Sequence, residues 1–496
     1  MASFLRGHTL LYFVACYASL GQFLFGYDQG VMSGILVNDY WLTRFVNPNA
    51  TIQGLVVAIF ELGAWITAYP TSWFMDNLGR RTTILIGSLI FIVGGILQTA
   101  SFHMAQLMIG RLVAGFGIGF LSTVLPVYTA ELSRAHNRGR VTVMGMSINM
   151  LGYTASEFID YGCSWIQNEW SFRIPLLLQC VFAAILAFGC FFMPESPRYL
   201  VSKDKHDQAM RTLAMLHGKP QDDPAVMQEH QDILDAVTYE RTLGQPTWFE
   251  MFTTYRRRSF IAIAVQALGQ LSGINIVTYY APKMYEAVLG PGNITILFAG
   301  FTALVYFFGA IGATFLVDRA GRRPLFMTGS ILLTIWLVIM AIFNKVYLGL
   351  TSAILVITFT MIYVGTFGAT WACVDWLYPA EIFPLRTRAK GMALAVSSNW
   401  LCNFAVGLWT PPMLEAIGFG TYIFYGAWNL IAFVLVYFTF VETKGKSLEE
   451  VDALFGDATP HEKLEAQDIK APVEQRFDSA TADDEKKSAT TADLNV

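Results

Sequence analysis

Four charged residues sit where a chain seldom places any. Asp28, Glu61, Arg111 and Asp375 each lie inside apolar runs long enough to cross a bilayer. A charge at mid-membrane costs about 2.5–3.5 kcal/mol on insertion scales, so each needs a partner or a task. A carboxylate there stays ionised beside a fixed cation and takes up a proton when that cation leaves. Glu61, within Ile59-Phe60-Glu61-Leu62-Gly63, and Asp375, beside Trp376, are open to two readings. Each is a further proton site or polar ligand contact, or a buried acid satisfied by a hydroxyl or backbone group. A second set is neutral. Gln266 and Gln270 are four apart, as are Asn399 and Asn403, so each pair shares a helix face. Buried amides are costly without partners. They either bind helices together or hydrogen-bond a polar ligand. Asn275 joins them, with Tyr279, Tyr280, Trp376 and Trp400 as aromatic candidates.

The elements that must position these residues follow from the charge map. The chain has 496 residues and 70 charged ones; 19 fall in Pro194–Arg258 and 21 in Val441–Val496. The remaining 375 residues carry 30, about 8%, against about 25% in soluble proteins. That is too few to cover a water-facing surface, which disfavours a soluble enzyme or nucleic-acid binder. Spanning helices need roughly 20 apolar residues. Six such runs precede the charged block, near 10–36, 51–75, 82–101, 104–130, 140–161 and 171–193. Six follow it, near 259–287, 294–317, 324–343, 351–378, 389–416 and 420–440. Barrel strands would be half this length and alternating. The expected fold is all-α integral membrane: twelve spans in two six-helix bundles, 1–193 and 259–440. A helical linker, 194–258, and a tail, 441–496, complete it. The tail is read as largely disordered beyond Gly456. The first run is too long for a cleaved signal peptide and contains Asp28.

Lys and Arg set the orientation. One set of short loops carries Arg80, Arg81, Arg134, Arg138, Arg140, Arg319, Arg322, Arg323, Arg386, Arg388 and Lys390. The other carries Arg44, Arg173, Lys283 and Lys345. The first face is expected to be cytoplasmic, with both termini and the linker. Asn49 and Asn293 are then glycosylation candidates in outer loops. The six Cys show no metal spacing and read as buried small hydrophobes.

Half the chain repeats. Asp76-Asn77-Leu78-Gly79-Arg80-Arg81 recurs as Asp318-Arg319-Ala320-Gly321-Arg322-Arg323. Glu131 and Arg138 recur as Glu381 and Arg388; Glu195 recurs as Glu442; Asp28 falls opposite Asn275. Four markers in one order at nearly one offset imply duplication. Two parallel six-helix halves with a site between them describe a secondary transporter. The loop Asp is expected to accept from a helix N-terminus, and the Arg pairs to bridge to Glu131 and Glu195, or to Glu381 and Glu442, latching that face until the halves part.

The chain resembles the sugar porter family of the major facilitator superfamily over nearly its whole length. The resemblance rests on Phe25-Gly26-Tyr27-Asp28, the two Gly-Arg-Arg loops, Gly110-Arg111, Pro126-Val127-Tyr128-Thr129-Ala130-Glu131 and Pro194-Glu195-Ser196-Pro197-Arg198. In the second half it rests on Gln270-Leu271-Ser272-Gly273-Ile274-Asn275, Tyr378-Pro379-Ala380-Glu381-Ile382-Phe383-Pro384, Ser398-Asn399-Trp400 and Glu442-Thr443-Lys444-Gly445. The run from Phe25 to Gly34 is most similar to fungal members. The resemblance implies uptake of a sugar or polyol by alternating access, with the proton as coupling ion and no other cofactor. It implies that Asp28 and Arg111 pair, and that Gln266, Gln270, Asn275, Tyr279, Tyr280, Trp376, Asn399, Trp400 and Asn403 surround the substrate. The repeated loops and their matched partners place Asp76, Arg80, Arg81, Glu131, Arg138, Glu195, Arg198, Asp318, Arg322, Arg323, Glu381, Arg388 and Glu442 in the latch.

The departures bear on substrate. Gly269 stands where the family has a glutamine, Met146 where it has a second, Tyr306 where it has an asparagine, and Ala372-Cys373 where it has Gly-Pro. Lost donors leave ligand hydroxyls unpaired, so a polyol, a pentose, a sugar acid or a more apolar substrate competes with a hexose. Facilitated diffusion, efflux and a transporter-like sensor are the alternatives to symport. No P-loop, HExxH or nucleophile motif supports an enzyme. The protein is expected to act as a monomer in the plasma membrane.

Overall fold

In a computed structural model the described residues are 7–132, 138–243, 247–346, 349–384, 386–446 and 448–456. Arg134, the side chains of Arg138 and Arg140, and the tail beyond Gly456 lie outside them. Every regular element among the described residues is a helix. Residues Met1–Lys444 form one unit and those from Gly445 a second, which carries α20 (Leu448–Phe455).

The first half holds α1 (His8–Ile35), the short α2 (Asp39–Arg44), α3 (Ala50–Leu78), α4 (Arg80–Thr99), α5 (Met104–Leu132), α6 (Arg138–Cys163) and α7 (Trp170–Gly189). The linker folds as α8 (Pro197–Ser202), α9 (His206–His217), α10 (Pro224–Leu243) and α11 (Trp248–Thr253). The second half holds α12 (Arg256–Leu271), α13 (Ile274–Leu289), α14 (Asn293–Ala320), α15 (Arg322–Lys345), α16 (Leu350–Thr370), α17 (Val374–Ile382), α18 (Arg388–Ile417) and α19 (Gly420–Thr439). Among the described residues ten segments are long and apolar enough to span; α1 and α6, of 28 and 26 residues, carry the other two runs. Their outward faces are apolar too, with Phe188 66% and Phe438 75% exposed. A helix apolar all round belongs in lipid, where its backbone is satisfied internally.

Two expected spans are broken. The seventh divides into α12 and α13 at Ser272-Gly273, where Gly273 takes φ 98°. An L side chain resists that backbone, and a Cβ would lie 2.9 Å from that of Tyr425. The freed Ser272 carbonyl accepts from Tyr363 Oη at 3.0 Å and Asn429 Nδ2 at 2.8 Å. The tenth divides into α16 and α17 around Trp371–Cys373. A continuous apolar run conceals such breaks, because hydropathy reports side chains and not backbone.

The halves meet where α3 packs on α18 and α6 on α14. Trp65 Nε1 donates to Ser397 Oγ at 2.8 Å, and the Phe158 ring lies against Gly300. Asn49 caps α3 by accepting from the Ile52 amide, and Asn293 opens α14. Cys163, Cys180, Cys190 and Cys373 are buried as expected, Cys402 is partly so, and Cys16 is exposed on α1.

Candidate functional site

Asp28 of α1 and Arg111 of α5 meet. Arg111 Nη1 donates to both carboxylate oxygens, at 3.1 and 3.0 Å, and neither side chain is more than 1% exposed. The guanidinium also donates to the Val56 and Val57 carbonyls of α3, at 3.2 and 3.5 Å, and lies over the Phe60 ring. Three helices thus hold the ion pair. Removing one member of such a pair costs about 3–5 kcal/mol, because the other is left as an uncompensated charge.

Glu61 stands one helical turn along α3 from those carbonyls. Its Oε1 accepts from Tyr279 Oη at 2.7 Å, and its Oε2 has no partner. Tyr279 Oη also lies 3.1 Å from Asn403 Oδ1, which accepts from Asn275 Nδ2 at 2.8 Å. Asn275 Nδ2 in turn reaches Gln270 Oε1 at 2.6 Å. A polar chain therefore runs from an acid of the first half, through α13 and α18, to an amide at the end of α12.

That amide faces a cavity. Its walls include Phe25 and Gln29 of α1, Met146, Asn149 and Tyr153 of α6, Gln270, Asn275, Tyr306, Asp375, Trp376 and Asn399. Of the expected substrate residues, Gln270, Asn275, Trp376 and Asn399 line it. Gln266, Tyr279, Tyr280, Trp400 and Asn403 stand behind it. Gln266 is consumed in packing, donating to the Asp375 carbonyl at 2.8 Å and accepting from Asn399 Nδ2 at 2.6 Å. Tyr280 donates to the Gly407 carbonyl, and Trp400 packs edge-on to Phe25. Gln29 and Asn149 were not anticipated. Gln29 lies four residues after Phe25, and Asn149 three residues after Met146, each pair on one helix face, so both were within reach of the helical period.

The departures from the family pattern fit together here. A Cβ on Gly269 would lie 2.9 Å from Asp375 Oδ2. The aspartate fills the space that a longer side chain at 269 would need, and its Oδ1 has no partner. Tyr306 packs edge-on between Tyr153 and Phe367 and narrows the cavity.

The duplicated loops form nearly identical structures. Arg80 makes a two-pronged contact with Glu131, both distances 2.9 Å, and Arg322 does so with Glu381, at 3.1 and 2.7 Å. Glu195 and Glu442 depart from expectation by binding backbone rather than guanidinium. Glu442 accepts from the amides of Arg322, Arg323 and Lys444 at 3.0, 3.0 and 2.8 Å. Glu195 accepts from those of Arg80 at 3.0 Å, Arg81 and Ser196. Each caps a helix N-terminus that has no capping side chain of its own. Burial raises the Glu195 carboxyl above the ordinary range, and the amides of Ser196, Arg81 and Arg80 oppose that. Gly79 and Gly321 adopt φ 90° and 92°, and a Cβ on either would press on the capping acid. Arg323 donates instead to the Tyr437 carbonyl. Asp76 and Asp318 lie 3.9 and 3.7 Å from Arg80 and Arg322 and cap nothing. Arg198 lies on α8, and Arg388 donates to the Phe383 carbonyl.

Two acids of α6 escaped the sequence reading. Glu157 and Asp160 are 0% and 4% exposed. Acids three apart in an otherwise apolar run were the available signal.

Comparison with known proteins agrees with this arrangement. Residues 14–455 match the family model described as "Sugar (and other) transporter". The chain is 32% identical over 96% of its length to the high glucose sensor RGT2 of Saccharomyces cerevisiae, of which it spans 66%. It is 31% identical over 92% of its length to the sugar transporter STL1 of the same yeast, covering 83% of that protein. The solved structure of the proton:xylose symporter XylE bound to 6-bromo-6-deoxy-D-glucose superposes with a TM-score of 0.76 at 25% identity, over 90% of this chain and 98% of that one. The duplicated capped loops, the broken spans and the central cavity are therefore those of a multi-pass membrane transporter and not of an enzyme: the chain belongs to the sugar transporter family of the major facilitator superfamily.

Proposed function

We propose that this sugar porter is a proton-coupled symporter of a neutral polyhydroxy compound. It works in the plasma membrane, with its termini and the 194–258 linker cytoplasmic and halves of 1–193 and 259–440 rocking about the cavity. The observation that carries the reading is the Asp28–Arg111 pair, buried among α1, α3 and α5. Beside Arg111 the carboxylate is ionised. If α5 shifts as the halves rock, the lone acid must take a proton. Glu61, between this pair and the Tyr279–Asn403–Asn275–Gln270 chain, is the second coupling candidate. A ligand hydroxyl on Gln270 or Asn275 would draw on the same hydrogen bonds, so ligand and proton favour one state, which is coupling by linkage. The Arg80–Glu131 and Arg322–Glu381 contacts lie within their own halves, and the latch acts by fixing each half's loop face.

Amides of Gln29, Asn149, Gln270, Asn275 and Asn399 suit a ring of hydroxyls, and Trp376 suits its C–H face. Asp375, also in the cavity wall, offers a further polar group to a ligand hydroxyl. Uptake competition among hexoses, pentoses, polyols and uronates in a transporter-null yeast tests the substrate class. Uptake with and without a pH gradient, in wild type and Asp28→Asn, tests the coupling. Wild type should concentrate substrate and Asp28→Asn should only equilibrate it. If Asp28→Asn concentrates substrate as well as wild type does, the coupling role is wrong. Similarity to a glucose sensor supplies the second reading. Sugar-induced signalling without uptake would replace transport with sensing.

A further inference from the structure

Glu157 and Asp160 lie three residues apart on one face of α6, against α1. Among the described residues the only donors within reach of their carboxyl oxygens are the Ser33 and Tyr153 hydroxyls for Glu157 and the Gly34 amide for Asp160, none in good hydrogen-bond geometry. Ser33 Oγ and Tyr153 Oη are as deeply buried and lie beside Glu157. The Gly34 amide faces Asp160. The absence of a side chain at Gly34 makes room for that acid, since a Cβ there would lie 2.6 Å from Asp160 Cβ and 2.7 Å from Oδ2. Among the described residues no Lys, Arg or His pairs with either acid. The titratable groups that face them are Tyr27 of α1, Tyr153 and Cys163 of α6 itself, and Tyr285 of α13. Asp28 is near Tyr27 but is committed to Arg111.

Two carboxylates buried on one helix face, with no cation paired to either among the described residues, cannot both be ionised. A hydroxyl on either side suits a group that alternates between donor and acceptor. The pair also lies on the path of α1, since Ser33 is five residues, about 7.5 Å of helix, beyond Asp28.

We propose that Glu157 and Asp160 share one proton and form a second protonation site, loaded and emptied as Asp28 is. The proton enters from water on one face, resides on one of the two carboxyls, and leaves to water on the opposite face, so nothing else is consumed. The inference deepens the symport reading and rests on it for its role in the cycle. The site itself is independent of Asp28.

Infrared difference spectra of the purified full chain in lipid, stepped between about pH 8 and pH 5, read protonated carboxyls directly and need no substrate. Wild type should show a carboxylic-acid carbonyl band that changes over this range, and Glu157→Gln/Asp160→Asn should lack it. The band should persist in Asp28→Asn. A double variant with an unchanged band overturns the proposal. So does a wild-type band from the pair that ignores pH, which is a fixed structural acid, or one abolished by sodium at constant pH, which is a cation site. If the double variant does not fold, Ser33→Ala and Tyr153→Phe serve, since each removes a flanking hydroxyl. Either should shift the band, and indifference to both overturns the assignment. In proteoliposomes with D-xylose, D-glucose or glycerol as probe, whichever is exchanged, one proton per turnover gives about tenfold accumulation per unit of pH gradient. The double variant should lose one such tenfold factor and keep exchange. Accumulation by Asp28→Asn as great as by wild type would sink the Asp28 coupling role and leave the infrared result standing.

Discussion

Replacing Glu442 by Ala should destabilise the second half through backbone and not through an ion pair. Its carboxylate accepts three amides at 2.8–3.0 Å, two of them the first N–H groups of α15. Losing an N-terminal cap costs about 0.5–2 kcal/mol and losing a negative charge there about 0.3–1 kcal/mol. The sum is about 2 kcal/mol, since the two overlap. A double-mutant cycle separates the two explanations. Arg323 sends its guanidinium to the Tyr437 carbonyl, so Glu442→Ala and Arg323→Ala should add, with a coupling below about 0.5 kcal/mol. Arg322 and Glu381, which are truly paired, should couple by about 1 kcal/mol or more. Reversible unfolding in mixed micelles measures all four corners of each cycle. Coupling between Glu442 and Arg323 as large as that between Glu381 and Arg322 would refute the capping argument. Glu195→Ala offers an internal replicate, because the first half repeats the geometry.

Two further outcomes follow from the cavity and the linker. Gly269→Gln should raise KM on the order of tenfold, from an overpacking cost of about 1–3 kcal/mol against Asp375. Adding Asp375→Gly should restore uptake, and no restoration would mean that the two positions do not share space. In the linker, burial first and then neighbouring His206 hold His230 below the ordinary histidine pKa. A depressed histidine contributes stability that is present above its unfolded pKa, about 6.5, and lost as pH falls through its folded one. Limited proteolysis of the linker should therefore quicken below neutral pH, and His230→Gln should flatten that dependence.

The fold was legible because lipid imposes a length and a composition on each span, and those survive in any single sequence. The Asp28–Arg111 pair was legible through its motifs. What lay beyond reach was direction. Nothing in the spacing of Gln266 says that its amide is spent on Asp375 and Asn399, while Gln270, one turn on, opens to the cavity. Glu195 and Glu442 were placed in the right loops with the wrong partner, because backbone amides leave no trace in sequence and arginines do. Glu157 and Asp160 belong to no motif, although their cost in lipid matches that of Glu61.

The interruption at Ser272-Gly273 has a mechanical consequence. The carbonyl released there is already bonded to Tyr363 and Asn429, so tilting α13 against α12 breaks no helical hydrogen bond. Meanwhile α13 is tethered to the first half by Tyr279 on Glu61 and by Lys283 Nζ on Gln53 Oε1 at 2.8 Å. One stretch of chain thus belongs by sequence to the second half and by bonding to both. A lever pivoted on two residues moves at far smaller cost than a bundle of six helices, so a ligand drawing on Asn275 needs to supply only the work of swinging that lever.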